Sequence, residues 1–182
     1  IRHFFTPVRG EFKNVTGTIE VDQANLNATR VNVEIKTASI NTNNDHRDTD
    51  LRGADFFDAE KNPKITFVSK SVDIKGTKGT MTGDLTMHGV TKPVTLNVDI
   101  GGFGKMGQGG TVAGFIAGGT LDRKEFGITW NKVLDQGATM LGDDVTLEIT
   151  VEAKTPRKAS PAAPATAPAP ATAPAPAPAG GK

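Results

Sequence analysis

Three histidines are the side chains in this sequence that could transfer a proton or bind a metal near neutral pH. His3, His46 and His88 are far apart in the chain, and none belongs to an H-x-H or H-E-x-x-H pair, the spacings that place two ligands on one metal. We therefore expect no metal site and interpret them as turn or surface histidines satisfied by hydrogen bonds, although distant residues could still meet in space. There is no cysteine, which excludes disulfides, thiolate nucleophiles and zinc ribbons.

A second group of candidate chemical residues lies in the polar segment 44–59, which ends Asp55-Phe56-Phe57-Asp58. Arg47-Asp48 and the stretch from Arg52 to Asp55 could form a general acid and base with an arginine clamp. The same residues suit a structural role, in which half-buried pairs of Arg and Asp pin an irregular segment to the rest of the fold. The sequence favours the structural interpretation and leaves the catalytic one open.

Familiar catalytic and phosphate-binding motifs are missing from the sequence. No serine stands in a G-x-S-x-G frame, and the glycines of 101–110 lack both the Lys-Ser/Thr pair and the following helix of a phosphate-binding loop. We interpret these glycines as the tip of a β-hairpin. Paired carboxylates for glycoside cleavage are equally unsupported, because tyrosine is absent and no aromatic platform surrounds them.

The elements that must position any site are β-strands. Apolar and polar residues alternate with period two in three segments, which gives each strand one dry and one wet face. The apolar members are Val31, Val33 and Ile35; Val94, Leu96, Val98 and Ile100; and Val145, Leu147, Ile149 and Val151. A weaker alternation runs through 80–87 and continues after His88-Gly89, a typical hairpin turn. Between Ile65 and Ile74 the apolar phase slips, which predicts a β-bulge.

Short helices are expected at two places. An Asn or Asp cap followed by Leu51 and Phe56 predicts a helix and a loop within 44–59, and 122–127 is typical of one helical turn that Gly127 ends. Strands at this spacing with short turns predict an all-β fold, an antiparallel barrel of about eight strands with one or two short helices. Closure would remove exposed sheet edges, which favours a barrel over a sandwich.

Small residues suggest that the barrel is not solid. The segment 111–121 is rich in glycine and alanine and has little bulk on either face, which is unusual for a strand that only fills a core. An eight-stranded barrel can hold one slender ligand if its inward residues are small. The alternative stays open that Gly114, Gly118 and Gly119 only relieve crowding where strands coil. If the slot exists, Phe115→Trp or Gly118→Leu should obstruct it.

The 182 residues divide into two regions of different composition. Residues 155–182 contain eight of the eleven prolines and almost no apolar side chain larger than alanine, so we expect a disordered tail after a single domain at 1–154. The tail has three basic residues and no acid, which leaves 18 basic against 20 acidic side chains in the domain, a net charge of −2. This charge balance provides no excess of basic residues of the kind that binds the phosphates of nucleic acid. No apolar run is long enough to span a bilayer as a helix.

Several motifs occur in an order that resembles the YceI-like family of lipid-binding proteins. They are Val8-Arg9-Gly10-x-Phe12, Ser39-Ile40-Asn41-Thr42-Asn43, Pro63-Lys64-Ile65-Thr66-Phe67, residues 83–94, and Arg123 with Phe126-Gly127. The resemblance covers about residues 1–153. It implies a lipocalin-like antiparallel barrel whose tunnel holds a polyisoprenoid, such as a prenyl quinone or polyprenyl phosphate, as ligand, without a cofactor. The first family strand is largely missing before His3, so an unclosed barrel is expected.

The resemblance further implies export to the periplasm or beyond, transient contact with a membrane and frequently a homodimer. On this basis we expect a non-enzymatic protein that binds, stores or transports a long-chain amphiphile. The apolar residues expected to line the tunnel are Val33, Ile35, Phe67, Met81, Leu85, Phe115 and Trp130, the last from a stretch that could form a flap. The polar motif residues carried over as candidate ligand contacts are Arg47, Asp48, His88 and Arg123.

Two other functions remain open. In one, the protein is an enzyme that acts on a lipid headgroup, with Asp48, His88 or Arg123 in the chemistry. In the other, the barrel is solid and the Pro/Ala-rich tail is a stiff spacer that places the domain near a wall or a partner. Recovery of a chemically intact lipid after long incubation argues against the first. Unchanged lipid binding and localisation after deletion of 155–182 argues against the second.

Overall fold

The period-two alternation of the sequence becomes one antiparallel sheet of seven strands in a computed structural model of the chain, which describes residues 1–107, 110–134 and 137–155. Strands are numbered in chain order. The seven strands of the main sheet are β4 (Val15–Glu20), β5 (Arg30–Lys36), β7 (Lys64–Lys75), β8 (Lys78–Met87), β9 (Val90–Lys105), β10 (Thr111–Asp122) and β11 (Asp144–Lys154). Their order across the sheet is β11-β10-β9-β8-β7-β5-β4. Beyond Thr155 the Pro/Ala-rich tail lies outside the described residues.

Four short strands form two further pairs. β1 (Arg2–His3) pairs with β2 (Thr6–Pro7), and β3 (Glu11–Phe12) pairs with β6 (Ile40–Asn41). The described residues also contain one α-helix, α1 (Asp45–Arg52), and short 3-10 helices at Leu26–Ala28, Thr37–Ser39 and Arg123–Phe126. This agrees with the all-β prediction and with both predicted helix positions.

The main sheet curls into a half-barrel that is open between its two edge strands, β4 and β11. The predicted barrel of about eight strands therefore has seven in its wall, and the expected lack of closure is present. The amino-terminal segment approaches the β11 edge instead: His3 forms a β-bridge with Leu141, and an Arg9 guanidinium nitrogen lies 3.8 Å from a Glu148 carboxylate oxygen.

The predicted bulge in the strand that contains Ile65 and Ile74 is confirmed. The register between β7 and β8 shifts between Ser69 and Ser71, so that Phe67 pairs with Leu85 and Val72 pairs with Met81. The bulge restores the phase of the apolar residues and keeps them on one face of the sheet.

That inner face of the half-barrel is the hydrophobic core. Because side chains alternate across a strand, every second residue of each strand points inward. The buried members of the cluster are Ile65, Phe67, Met81, Leu85, Met87, Val94, Leu96, Val98, Leu121, Phe126 and Ile128. The last two come from outside the strands and cover one end of the barrel.

The two ends of the half-barrel differ in what closes them. We call the end that carries α1 and the His88-Gly89 turn the helical end, where β5, β8 and β10 finish. Aromatic side chains pack there, and the rings of Phe12 and Phe57 meet edge to face with centroids 5.6 Å apart. We call the opposite end, where β9 turns back into β10, the hairpin end. The glycines were predicted at the tip of a hairpin; Gly101, Gly102 and Gly104 instead lie within its strand β9, and Gly109 lies outside the described residues.

Local chemistry explains the two connections at the helical end. The Asn44 side chain caps α1 by accepting a hydrogen bond from the Arg47 amide at 3.0 Å. His88 and Gly89 have φ angles of 51° and 74°, so both adopt the left-handed conformation that a tight two-residue hairpin requires. Within the described ranges, α1 and the other helical segments are all too short and too polar to cross a bilayer.

Candidate ligand-binding face

Five of the predicted lining residues meet on the inner face of the half-barrel. Val33, Phe67 and Leu85 pair in one row across β5, β7 and β8. Ile35 lies in the next row opposite Ile65, and Met81 lies further along β8 between Val72 and Leu96. These residues are buried or half-buried and form a continuous apolar surface.

The remaining two predicted lining residues lie apart from this group. Phe115 is also on the inner face, where it pairs with Ile100 and Val151 toward the hairpin end. Trp130 follows the 3-10 helix Arg123–Phe126 and packs against Phe56 at the helical end, with ring centroids 5.2 Å apart. The structure therefore places six of the seven on one face of the sheet, and Trp130 with the aromatic side chains of the helical end.

Small residues on β10 leave the inner face shallow near the open edge. Ala117 points inward between Val98 and Ile149, and Gly119 lies so close to Leu96 that a Cβ there would be 3.1 Å from its Cδ2. Gly118 points outward, because it pairs with Asn97 and Glu148 in a polar row. The expectation that Gly118→Leu obstructs an inner slot is therefore wrong, and Ala117 is the position that faces it.

Two depressions in the wall of the half-barrel have volumes of about 650 and 430 Å³ and are open to solvent. The larger is bordered by the outward-facing row Lys78, Asp99, Ile116 and Thr150, and the smaller by Gly102, Gly114 and Glu152. Residues of the inner face also border them, namely Val98, Ala117 and Ile149 in the larger depression and Phe115 and Val151 in the smaller. The hollow interior inferred from the sequence stays a prediction.

The first pair of polar candidates, Arg47 and Asp48, holds the loop before α1. Asp48 is 3% exposed, and one of its carboxylate oxygens accepts hydrogen bonds from the Thr42 amide at 2.8 Å and the Thr42 hydroxyl at 2.6 Å. Arg47 donates to the hydroxyl and the carbonyl of the same threonine at 2.7 and 2.9 Å. The hydrogen bond from the Thr42 hydroxyl is the main cause of a lowered pKa of Asp48, and the charges of Arg52 and Arg47 act in the same direction.

Arg52 fastens the same region to the sheet. Its guanidinium donates to the carbonyls of Ala38 and Ile40 at 2.9 and 3.0 Å. The arginines of this segment therefore reach backbone carbonyls and a threonine, whereas the sequence suggested pairs of Arg and Asp. This arrangement supports the structural interpretation of the segment over the catalytic one, because the donors are occupied by the chain itself.

Arg123 organises the connection between β10 and β11. It is 4% exposed and donates to the carbonyls of Gly142, Ile128 and Trp130 at 2.7–2.9 Å. Its remaining bond goes to the Asp143 carboxylate at 3.1 Å. The pKa of Asp143 is lowered, mainly by the hydrogen bond from Lys124 and further by the nearby Arg123 charge. Arg123 is thus a buried cation that stabilises the connection between β10 and β11 by donating hydrogen bonds to its carbonyls.

His88 is a turn residue, as the sequence predicted. Its Nδ1 lies 3.1 Å from the Phe126 carbonyl oxygen, so the turn between β8 and β9 is joined to the 3-10 helix Arg123–Phe126. A Cβ at Gly127 would stand 3.2 Å from the same nitrogen. All four polar candidates therefore lie at the helical end, in three separate sets of contacts. In the part of the chain that the structure describes, no three potential ligands gather as a metal site.

The large apolar side chains that fill the helical end were missed as candidates. Phe56 and Phe57 come from the loop after α1, and Phe126 and Ile128 from the turn after β10. In the sequence, the only sign of these residues is that they are apolar and lie in otherwise polar segments without a strand pattern. Thr42, which joins Arg47 to Asp48, had no sequence signal beyond its place in a family motif.

The fold and its rim contacts can now be compared with known proteins. A family model described as a YceI-like domain matches residues 1–153. The chain belongs to the YceI-like family. A YceI-like relative, Protein YceI of Escherichia coli O6:H1, is 47% identical over 119 residues, which are 65% of this chain and 62% of the relative. A UPF0312 protein of Pseudomonas putida F1 is 42% identical over 146 residues, 80% of this chain and 72% of the relative.

Solved structures of the YceI-like type have the same fold. The YceI protein of Campylobacter jejuni superposes with a TM-score of 0.75 and 38% identity, over 86% of this chain and 90% of that one. BcnA of Burkholderia cenocepacia gives 0.70 and 25%, over 81% and 89%. A polyisoprenoid-binding domain from Saccharophagus degradans gives 0.50 and 13%, over 81% and 85%, and shares the fold alone.

Proposed function

We propose that this YceI-like domain binds a polyisoprenoid or a similar long-chain amphiphile along the inner face of its half-barrel. The observation that carries the proposal is that apolar residues cover this face without interruption. They extend from the packed helical end to Phe115, Ile149 and Val151 beside the open edge. Ala117 keeps this part of the face shallow enough to receive a slender chain, and Leu96 packs over the neighbouring Gly119.

The free energy of transferring the lipid favours a protein that carries or stores it reversibly over one that binds it irreversibly. Removing a tail of about forty carbons from water would release roughly 30 kcal/mol, at about 0.8 kcal/mol for each methylene-sized group. That exceeds the roughly 18 to 21 kcal/mol at which noncovalent affinity saturates. The relevant exchange is therefore between a bilayer and the protein, which have similar apolar surroundings, and the lipid can be released as readily as it is taken up.

The likeness to a domain described as polyisoprenoid-binding supports the choice of ligand class, and prenyl quinones and polyprenyl phosphates are its members of suitable shape. An enzyme that acts on a headgroup is the less favoured function, because Asp48 and Arg123 are already engaged by the chain's own Thr42 and backbone carbonyls. Incubation with a prenyl quinone followed by recovery of the intact compound supports binding without turnover.

Two neighbouring residues provide a matched test of the site. Ala117 points inward and Ile116, which is 56% exposed, points outward on the same strand. After incubation with a prenyl quinone, organic extraction and mass spectrometry should find bound lipid in the parent protein and in Ile116→Trp, and much less in Ala117→Trp. Equal loading of both variants, or no lipid in the parent protein, would contradict the proposal.

We further propose that the protein works in the periplasm or outside the cell, contacts a membrane transiently and forms a homodimer, as the family resemblance implies. Fractionation of the native producer would test the location. Light scattering after size-exclusion chromatography would test the dimer, and a monomer at every concentration would contradict it.

A further inference from the structure

The hairpin end exposes apolar side chains beside the candidate ligand-binding face. Phe103 and Met106 are 36% and 42% exposed, although both are large apolar residues. Lys105 lies between them and is also exposed. Large exposed apolar residues next to a cation are typical of a surface that inserts into a bilayer with anionic headgroups.

The charge around this hairpin suits an anionic surface. No aspartate or glutamate occurs between Asp99 and Asp122 in the sequence. The carboxylates on the flanking strands are matched by lysines, Asp99 by Lys78 at 3.3 Å and Glu152 by Lys154 at 2.8 Å. Lys105 has no ion-pair partner among the described residues, so its charge is available to a phosphate headgroup.

At the helical end, the segment 45–61 has a net negative charge, with six carboxylates against two arginines and Lys61, which pairs with Asp58 at 3.0 Å. α1 and the loop that follows it carry exposed or half-exposed carboxylates, namely Asp45, Asp50, Asp55, Asp58 and Glu60. Phe5 is 91% exposed on the β1–β2 connection and is the strongest apolar candidate outside the hairpin end. An anionic membrane would be repelled by the carboxylates of this segment. Phe5 is not part of the apolar cluster of the inner face, whereas the hairpin end is continuous with that face, which favours the hairpin end as the docking surface.

The apolar surface is continuous from the hairpin end to the inner face. The rings of Phe103 and Phe115 meet edge to face with centroids 6.2 Å apart, and Phe115 pairs with Ile100 on the neighbouring strand. A lipid chain that leaves the bilayer at Phe103 would therefore remain in contact with apolar side chains as it reaches Val98 and Ala117.

We propose that Phe103, Lys105 and Met106 form a docking surface for an anionic lipid bilayer, through which the lipid ligand passes to and from the inner face. This inference rests on the proposed lipid-binding function. The bilayer contact is made by the side chains of the hairpin, and the ligand is held further inside, so the two can be measured separately.

The test measures co-sedimentation of the full chain with phosphatidylcholine vesicles that contain phosphatidylglycerol. Lys105→Glu should weaken the vesicle partition by about tenfold or more, because each charge near such a surface contributes about 1 kcal/mol, and Met106→Ser should weaken it several-fold. The matched control Phe5→Ser removes a more exposed ring at the helical end and should leave the partition unchanged. Both hairpin changes leave the Phe103–Phe115 contact in place, so the fold is retained.

Uptake of farnesol without vesicles, measured by mass spectrometry, separates the two proposals. Unchanged farnesol uptake with reduced vesicle binding in Lys105→Glu and Met106→Ser supports the docking surface. Parent-like vesicle binding in both variants, loss of binding only in Phe5→Ser, or failure of the parent chain to bind these vesicles would overturn it. Absence of farnesol and prenyl quinone uptake in every chain, with hairpin-dependent vesicle binding retained, would overturn the lipid-carrier function and leave the membrane contact standing.

Discussion

The ring of Phe67 on β7 covers Gly83 on β8 so closely that a Cβ added to Gly83 would stand 2.5 Å from Phe67 Cζ. The same Cβ would be 2.5 Å from the Val68 carbonyl oxygen. The contact lies beside the β7 bulge and places the Phe67 ring over the inner face. Glycine is required here because of close packing. Its φ angle is not positive, so the backbone conformation alone would accept other residues.

Gly83→Ala should lower the free energy of unfolding by about 1–3 kcal/mol, because the new methyl group must displace an aromatic ring and a backbone carbonyl in a packed core. Urea unfolding would measure the change. Gly114→Ala is the control, since nothing lies within 4 Å of a Cβ at that position. It should leave stability unchanged or raise it by up to ~1 kcal/mol. Equal losses of unfolding free energy in the two variants would show that contact with Phe67 is not the reason that residue 83 must be glycine.

Arg123→Met should cost about 3 kcal/mol of stability, because it leaves the buried carbonyls of Ile128 and Gly142 without their donor. The control is Lys124→Met on the same 3-10 helix, which removes a solvent-exposed ammonium bonded to Asp143 at 2.8 Å. That change should cost at most about 1 kcal/mol. Thermal or urea unfolding would compare them, and a cost for Arg123→Met no greater than that of its neighbour would contradict the structural role.

The Asp48 carboxylate should make stability depend on pH in the acid range. Its pKa in the folded protein lies below the ordinary value of 3.8, so its stabilising effect is present above that value and is lost as the pH falls through the lower, folded-state pKa. Asp48→Asn should therefore melt at a lower temperature than the parent protein at neutral pH, and the difference should shrink below pH ~4.

Melting curves of the two proteins across this pH range would measure the effect of Asp48. Asp50→Asn, at an exposed position of the same helix, controls for the loss of one negative charge. A melting difference for Asp48→Asn that stayed constant from neutral to strongly acid pH would show that the carboxylate charge is not what stabilises the Thr42 loop.

Binding of a prenyl lipid should stabilise the folded domain. A ligand that binds only the native state at a hundred times its dissociation constant raises the unfolding free energy by about 2.7 kcal/mol. The melting temperature should therefore rise with prenyl quinone concentration in the parent protein and in Ile116→Trp, and rise little in Ala117→Trp. A rise of equal size in Ala117→Trp would locate the lipid away from the inner face.

Most strands of the half-barrel could be predicted from the sequence, because the patterns that indicate them involve residues close together in the chain. Alternation identified the strands that contain Val33, Leu96 and Leu147, and the phase slip after Ile65 identified the bulge. The cap at Asn44 and the stop at Gly127 likewise depend on a few neighbouring residues. Five of the predicted lining residues therefore lie together on the inner face, where the pattern placed them.

The sequence by itself thus determined the class of fold, the family, the apolar face and the ends of the short helices. Only the tertiary structure decided that the expected opening lies between β4 and β11, that Gly118 points outward beside inward-facing Ala117, and that Arg123 donates to three carbonyls. Alternation along a chain carries no information about which edge strands meet. A strand that is small on both faces does not reveal its inward side, and the partners of a long cation come from segments distant in sequence.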